Sequence, residues 1–507
     1  MVNAMKLYLT TNNRASAVEL SNIPIVDYTE LYRDLSERMS DTRYHVAHYF
    51  ATEIESGLRF YLILLDDETS EVLITSFIPD YYAEGLASLT AIHPQFHPFE
   101  REMHELYGIP FDSHPWLKPL RFSHDRRDKS STMDSYPFYS MEGKELHEVN
   151  VGPIHAGIIE PGAFRFICDG EQVLHLEIAL GYQHRGVEGE MVKSTNRLRQ
   201  TLIAESIAGD TAVGHATAYC ELIEKFANFE AHKSLRLERM IAIELERIAM
   251  HLADTGALAT DIGFQLYQVA CEALRTVTIN TTQAWCGNRF GKSLIRPMGS
   301  NHPLTKAKIE LICKNIADVR RRYNEIREDI FEAHTLLARF EQCGLVPKGE
   351  MERIGGVGQA ARASGVKRDI RLTHPSGYYT ELEHHPILKS DGDVMSRLAT
   401  RLDEVIQSAD YIERLLANYT PSQDITPPDY NAPLKANSLS FSLVEGWRGE
   451  ICHVALTDEN GAIVKYKIKD PSLHNWLGLA IAVRSEGISD FPINNKSFNL
   501  SYCGHDL

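Results

Sequence analysis

Four short segments hold side chains able to move protons or bind metals. In LGYQHRGVEGEM (180–191), His184 and Arg185 lie in a glycine-flanked turn just after a strand-like run. Loops at strand ends often present functional side chains, although the same pair would also serve as turn residues leading into a helix. In AESIAGDTAVGHATAYC (204–220), Glu205, Asp210 and His215 sit among small residues. Such crowding fits either a group packed close against the segment or a tight helix crossing. In ELERIAMHL (244–252), Glu244, Arg247 and His251 share one helical stripe, which supports an intrahelical ion pair or a hydrogen-bond chain. The last segment, INNKSFNLSYCGHDL, carries Ser501, Cys503, His505 and Asp506 where a free tail is the default. If folding gathered Asp210, His215, Cys503 and His505, their hard and borderline donors could hold Zn or Fe. A fifth segment, HPQFHPFEREMHELYGIPFDSHP, is dense in His93, His97, His104 and His114. It misses the H-E-x-x-H zinc spacing, because Gly108 stands where the second histidine belongs, so a polar surface helix is expected.

These residues belong to a chain too long for one domain: 507 residues suggest two to four at roughly 100–200 residues each. With 43% hydrophobic residues it can bury a core. Lys+Arg 52 against Asp+Glu 69 leaves −17, which argues against nucleic-acid binding and against docking on anionic lipid by charge alone. No stretch approaches twenty consecutive apolar residues, and the first residues are too polar for a signal peptide. The eight cysteines form no C-x-x-C pair and are expected to be reduced thiols.

Residues 43–78 read as strands, with helix-like stretches at 27–40 and 96–107, so residues 1–122 form a small α+β domain. The polar run at 123–147 lacks periodicity and reads as a linker. Residues 148–507 begin with a hairpin turning at Asp169-Gly170 and then become helical. Apolar residues recur at three- and four-residue steps from Ile309 to Ile330, from Val394 to Leu416 and from Leu237 to Leu252. That spacing predicts a bundle of long helices with peripheral β-sheet, including a second hairpin at Asn460-Gly461. The expected fold class is α+β, a small N-terminal domain fused to a mainly helical one.

Together the segments resemble one family across almost the whole chain. FEREMHELYGIPFDSHPWLKPLRF is similar to the end of the small hydrophilic subunit of respiratory complex I. VGPIHAGIIEPGAFRF, GYQHRGVE, ELERIAMHL, ARASGVKRDIR and VEGWRGE resemble the large subunit of group 4 membrane-bound [NiFe] hydrogenases, a homologue of the quinone-site subunit of complex I. The fused order matches the formate hydrogenlyase and hydrogenase-4 type.

The family's NiFe centre needs four thiolates, from an N-terminal C-x-x-C and a C-terminal D-P-C-x-x-C. Here Ala208 and Thr211 occupy the first pair of positions, and Ser501 and Gly504 the second. Glu205 and Gly209 still match; Asn499 and Leu500 replace the Asp-Pro, and Cys503 falls one position short. The resemblance therefore implies a hydrogenase-related subunit that has lost its NiFe ligands. Large subunits of this type carry a C-terminal extension removed after nickel insertion. This chain stops at Leu507, the cleavage position, and is expected to be encoded at its mature length. His184 matches the histidine that faces the quinone headgroup in the complex I relative, whereas the partner tyrosine is missing: Gly209 stands there, and Tyr219 belongs to the next helix. A further departure is Ala163, where many relatives have histidine.

Three functions follow from the resemblance. The first is the large subunit of the hydrophilic arm of a complex I-like, energy-converting oxidoreductase complex on the cytoplasmic face of the membrane, coupling redox or conformational change to ion translocation. Its partners would be a small subunit with a [4Fe–4S] cluster, a ferredoxin-like iron–sulfur subunit and membrane subunits related to cation/proton antiporters. The vacated cavity would be lined by His184, Glu205, Asp210, Thr211, His215 and the Ser501–Asp506 tail. Asp210 would either relay protons or pair with an arginine such as Arg448. The second is a quinone-reducing subunit using His184. The third is an inert structural subunit.

Overall fold

The long strands Tyr44–Ile54, Gly57–Asp66 and Glu71–Phe77 pair antiparallel, with Leu9–Thr11 on the edge beyond Glu71–Phe77. The computed structural model describes residues 6–80, 84–155, 159–417 and 419–507. One face of this sheet presents Tyr49, Phe60, Leu62 and Phe77 to helices Tyr28–Arg38 and His97–Tyr107. The other face packs Phe50, Tyr61, Ile63 and Ile74 against Phe441, Leu443, Val454 and Leu456 of a second sheet. Burial on both faces explains the nearly unbroken apolar run LRFYLILL.

The second sheet joins Ile463–Lys469, Glu450–Thr457 and Ser438–Glu445 to the N-terminal strand Val18–Glu19, with Leu439 opposite Val18. Residues near the two ends of the chain thus share one sheet. A third sheet pairs Leu146–Val151, Ala163–Asp169 and Gln172–Ala179. Gly170 closes its hairpin at φ 56°, and Gly461 closes the other at φ 78°; both need the left-handed region.

The helical core is built from Ala212–Phe226, Lys233–Asp261, Gln265–Cys286, Lys306–Glu332 and Val394–Leu416. The three apolar stripes meet there: Leu237, Ile241 and Leu245 pack in one cluster with Ile312, Ile316 and Val319 and with Leu398, Leu402 and Val405. Thr305 and Asp393 cap two of these helices by accepting from the amides of Lys308 and Ser396. The architecture is α+β, with complex side-chain layers between sheet and bundle.

Two local expectations change. The histidine-rich helix His97–Tyr107 is not a surface helix. Its residues from His97 to Met103 are buried, because the helix is wedged between the N-terminal sheet and helix Ser472–Ala482, with the His474 ring 5.5 Å from that of Phe99. Glu100 accepts from the Leu89 amide at 2.7 Å and from Ser88 at 2.6 Å, so its acidity serves a buried loop. The aperiodic run 123–147 also folds back onto the chain: Tyr136 packs against Phe122 and Ala179, and the Tyr139 amide donates to Glu177 at 2.6 Å.

Candidate functional site

The C-terminal segment is not a free tail. Asn499 turns the chain at φ 45°, and Ser501 caps a short helix, Tyr502–Asp506, by accepting from the Gly504 amide at 2.9 Å. The Asp506 carboxylate accepts from the amides of Gly181 and Gln183 at 2.8 and 2.9 Å, and its carbonyl accepts from His184 Nδ1 at 2.8 Å. Arg185 donates to the carbonyls of Ser206, Ile207 and Cys503. The tail therefore stitches together the 180–186 turn and the segment after helix Arg197–Ala204. The carbonyl bond fixes the proton of neutral His184 on Nδ1 and leaves Nε2 as an acceptor. Burial keeps His184 below the usual histidine range, so this neutral form prevails.

Asp210 and Thr211 lie just before helix Ala212–Phe226. Asp210 makes a two-pronged pair with Arg448, both contacts at 2.7 Å, and Arg448 donates its Nε to the Asn499 carbonyl at 2.6 Å. One guanidinium thus ties the two segments aligned with the family's cysteine motifs. Partial burial works against ionisation of Asp210, but the adjoining Arg448 charge prevails and holds the carboxyl below its ordinary value. Thr211 does not cap its helix. Its hydroxyl donates to Asp210 and accepts from Trp447 Nε1 at 3.1 Å. The free amides of Val213 and Gly214 go instead to the buried carboxyl group of Glu246, at 2.7 and 3.1 Å. Burial pushes Glu246 up to about 8.

His215, on the same helix, is fully buried in a directed chain. Its Nε2 lies 3.1 Å from Asp470 and its Nδ1 3.1 Å from His453 Nε2, and His453 Nδ1 is 2.8 Å from the Tyr466 hydroxyl. One assignment satisfies every atom: Tyr466 donates to His453, His453 to His215, and His215 to Asp470. Asp470 also accepts from the Ser472 amide at 2.8 Å. Burial opposes its ionisation, but the His215 hydrogen bond and Arg448 keep it below the carboxylate range. Burial and the neighbouring His215 push His453 far below the histidine range, so it stays neutral.

Asp470 also reaches the tail. A Cβ built on Gly504 would lie 2.6 Å from Asp470 Oδ2 and 2.8 Å from Ser501 Oγ. Ala208 is fully buried. Cys503 is half-buried, with Sγ 3.5 Å from Ser501 Oγ, and burial raises its thiol to about 12, leaving it protonated. His505 points elsewhere, with Nδ1 2.8 Å from Asp506 Oδ1. Glu205 accepts from Arg296 and from the Ser293 amide, both at 2.6 Å, and so braces a neighbouring loop. Among the described residues, no three His, Cys, Asp or Glu side chains converge to hold a metal ion.

The Glu244, Arg247 and His251 stripe forms an intrahelical pair, Arg247 to Glu244 at 3.1 Å, and a longer network. His251 lies 2.8 Å from Glu404, which Arg362 also holds at 2.6 Å, and Arg362 reaches Glu445 at 2.7 Å. Arg362 and Arg371 come from ARASGVKRDIR, so this motif supplies buried cations to the bundle. Sequence reading missed Asp470, His453 and Glu246. The visible signal was polar residues inside apolar runs, as in ICHVAL, and an aspartate closing the last strand.

Residues 8–132 match the family described as respiratory-chain NADH dehydrogenase, 30 Kd subunit, and residues 261–439 match its 49 Kd subunit. The chain is a complex I 30 kDa–49 kDa fusion. Its relatives include group 4 membrane-bound hydrogenase subunits and NADH-quinone oxidoreductase C/D subunits. It is 28% identical over 359 residues to the membrane-bound hydrogenase subunit alpha of Pyrococcus furiosus, covering 68% of this chain and 84% of that protein. It is 25% identical over 478 residues to formate hydrogenlyase subunit 5 of Escherichia coli, covering 90% and 81%. In fold it matches a chain of an archaeal membrane-bound sulfane sulfur reductase, with a TM-score of 0.67 at 20% identity, over 73% of this chain and all of the other. Among the described residues, no helix of this fusion is long and apolar enough to cross a membrane.

Proposed function

We propose that this fusion is the large subunit of the hydrophilic arm of a membrane-bound, complex I-like, hydrogenase-related oxidoreductase complex, and that it works without a NiFe centre. The observation that carries this is the chemistry at the four ligand positions. Ala208, Thr211, Ser501 and Gly504 offer no thiolate, and the Asp470 carboxylate lies where a side chain at 504 would project. A NiFe centre does not fit that donor set. In its place stand a guanidinium clamp, Asp210–Arg448–Asn499, and a buried hydrogen-bonded series, Asp470–His215–His453–Tyr466. Tyr466 donates, Asp470 accepts and the two histidines do both, so the series is polarised toward Asp470 and holds His215 and His453 in one tautomer. The relatives' membership of membrane hydrogenases and NADH–quinone oxidoreductases supports an iron–sulfur small subunit, a ferredoxin-like subunit and antiporter-related membrane subunits as partners, coupling to ion translocation, and a place on the cytoplasmic face. Metal analysis of the purified native complex tests the proposal. Nickel far below one per chain is expected, and stoichiometric nickel overturns it.

One observation favours a quinone reading of the same site. His184 is half-buried, and its Nε2 has no partner among the described residues, so it is open to a ligand's hydroxyl. The fixed tautomer makes Nε2 an acceptor, suited to receive a hydrogen bond from the hydroxyl of the quinol formed by reduction. Loss of quinone-dependent turnover in His184→Ala with the complex intact supports this role, and unchanged turnover removes it.

A further inference from the structure

Between helix His97–Tyr107 and helix Ser472–Ala482 lies a cavity of about 330 Å³ that meets the C-terminal tail described above at His505. Its size suits a small ligand, since such pockets run from about 300 to 1,000 Å³. Leu180, Leu473, Leu477 and Ala480 give it apolar walls, and Trp116 and Trp476 add aromatic faces.

Two buried side chains, His97 and Trp476, line this cavity with hydrogen-bonding atoms unused, and a third, Arg101, is a cation without an ion-pair partner among the described residues. Arg101 is 4% exposed and donates Nε to the Lys118 carbonyl at 2.8 Å and Nη2 to the Pro119 carbonyl at 2.6 Å. Among the described residues Arg101 forms no ion pair; its guanidinium lies over the Trp116 ring, 4.1 Å from the centroid, and beside the Tyr136 hydroxyl. His97 is 5% exposed with neither ring nitrogen paired, and Trp476 is 5% exposed with an unpaired Nε1. A buried donor left without an acceptor costs about 1–3 kcal/mol, and a buried cation without a counter-charge costs more. Glu177 also lines the cavity but does not compensate Arg101. It is already taken by Lys118 at 2.5 Å, by Trp116 at 3.1 Å and by the Tyr139 amide at 2.6 Å. The site thus holds unused hydrogen-bonding atoms on His97 and Trp476 and more lining cations, Arg101, Lys118 and Arg484, than the one lining carboxylate, Glu177.

We propose that this cavity binds a small amphipathic monocarboxylate. The carboxylate meets the Arg101 guanidinium, with His97 and Trp476 as further donors, and the apolar body lies along Leu180, Leu473 and Leu477. Recognition is by charge and shape, so a neutral or cationic ligand of the same length is rejected.

Octanoate, octanol and octylamine titrated into the full-length chain test the assignment by tryptophan fluorescence, because Trp116 and Trp476 are two of only four tryptophans. Octanoate is expected to give a saturable change, and the other two to bind at least about tenfold more weakly, the scale of one charge-assisted hydrogen bond. Arg101→Met should erase that preference. Because this variant also loosens the Lys118–Pro119 turn, Ala480→Phe provides a second arm: it fills the cavity, keeps Arg101, and should abolish octanoate binding. Octanoate that binds no better than octanol, or binding that survives Ala480→Phe, overturns the proposal.

Discussion

Replacing Gly504 by alanine puts a methyl group where Asp470 already sits. The backbone does not resist the change, because Gly504 lies in the helix Tyr502–Asp506 and outside the left-handed region. On propensity alone alanine would stabilise by about 1 kcal/mol. The new Cβ, however, would lie 2.6 Å from Asp470 Oδ2, 2.7 Å from its Cγ and 2.8 Å from Ser501 Oγ. Asp470 cannot yield freely, because it accepts from His215 and from the Ser472 amide. Overpacking of this kind costs about 1–3 kcal/mol, so the net expectation is a loss of up to about 2 kcal/mol. A double-mutant cycle isolates the cause. Asp470→Ala is itself destabilising, since it orphans two donors, yet it opens the space at 504. Gly504→Ala should then become neutral or favourable in the Asp470→Ala background, with a coupling of about 1–3 kcal/mol. Urea unfolding at constant slope gives all four free energies. If Gly504→Ala stabilises the wild-type chain, or the two changes add, Asp470 does not occupy the space of the missing fourth ligand.

Asp210→Asn should cost about 1–3 kcal/mol in urea unfolding, between the values for exposed and buried pairs, because Arg448 is 5% exposed while Asp210 is 36% exposed; no change would dismiss the clamp. Tyr466→Phe removes the donor to His453 Nδ1 and should cost about 1–3 kcal/mol, with a changed imidazole nitrogen signal for His453 in NMR spectra; an unaltered His453 signal would deny the directed chain. Glu246 is raised to about 8, above its ordinary value, so its contribution to stability is full below the unfolded pKa near 4.5 and is lost as pH rises through 8. Glu246→Gln should therefore flatten the fall of stability across that window by up to about 1.4 kcal/mol per pH unit, and an unchanged pH profile would count against it.

Much of the architecture was legible because its signals are local. The helical stripes at 309–330 and 394–416 are periodic over many turns, and the hairpins at Asp169-Gly170 and Asn460-Gly461 carry turn residues that admit positive φ. The histidine-rich helix was misplaced because its surroundings come from residues far away: His474 and Leu473 cover a face that its own polar composition suggests is wet. The tail was similarly opaque. Its short polar segment becomes ordered through bonds to residues more than three hundred positions earlier.

The sequence by itself determined the α+β class, the resemblance, and the absence of a thiol at positions 208, 211, 501 and 504, because these depend on residue identity and short-range pattern. Tertiary structure alone decided what stands in place of those thiols. Arg448, Asp470 and His453 lie hundreds of residues from Asp210 and His215, and only the packing of the C-terminal sheet on helix Ala212–Phe226 brings them within hydrogen-bonding distance. Hydrogen bonds act over about 3 Å, so spacing along the chain carries no trace of them until the fold has closed that distance.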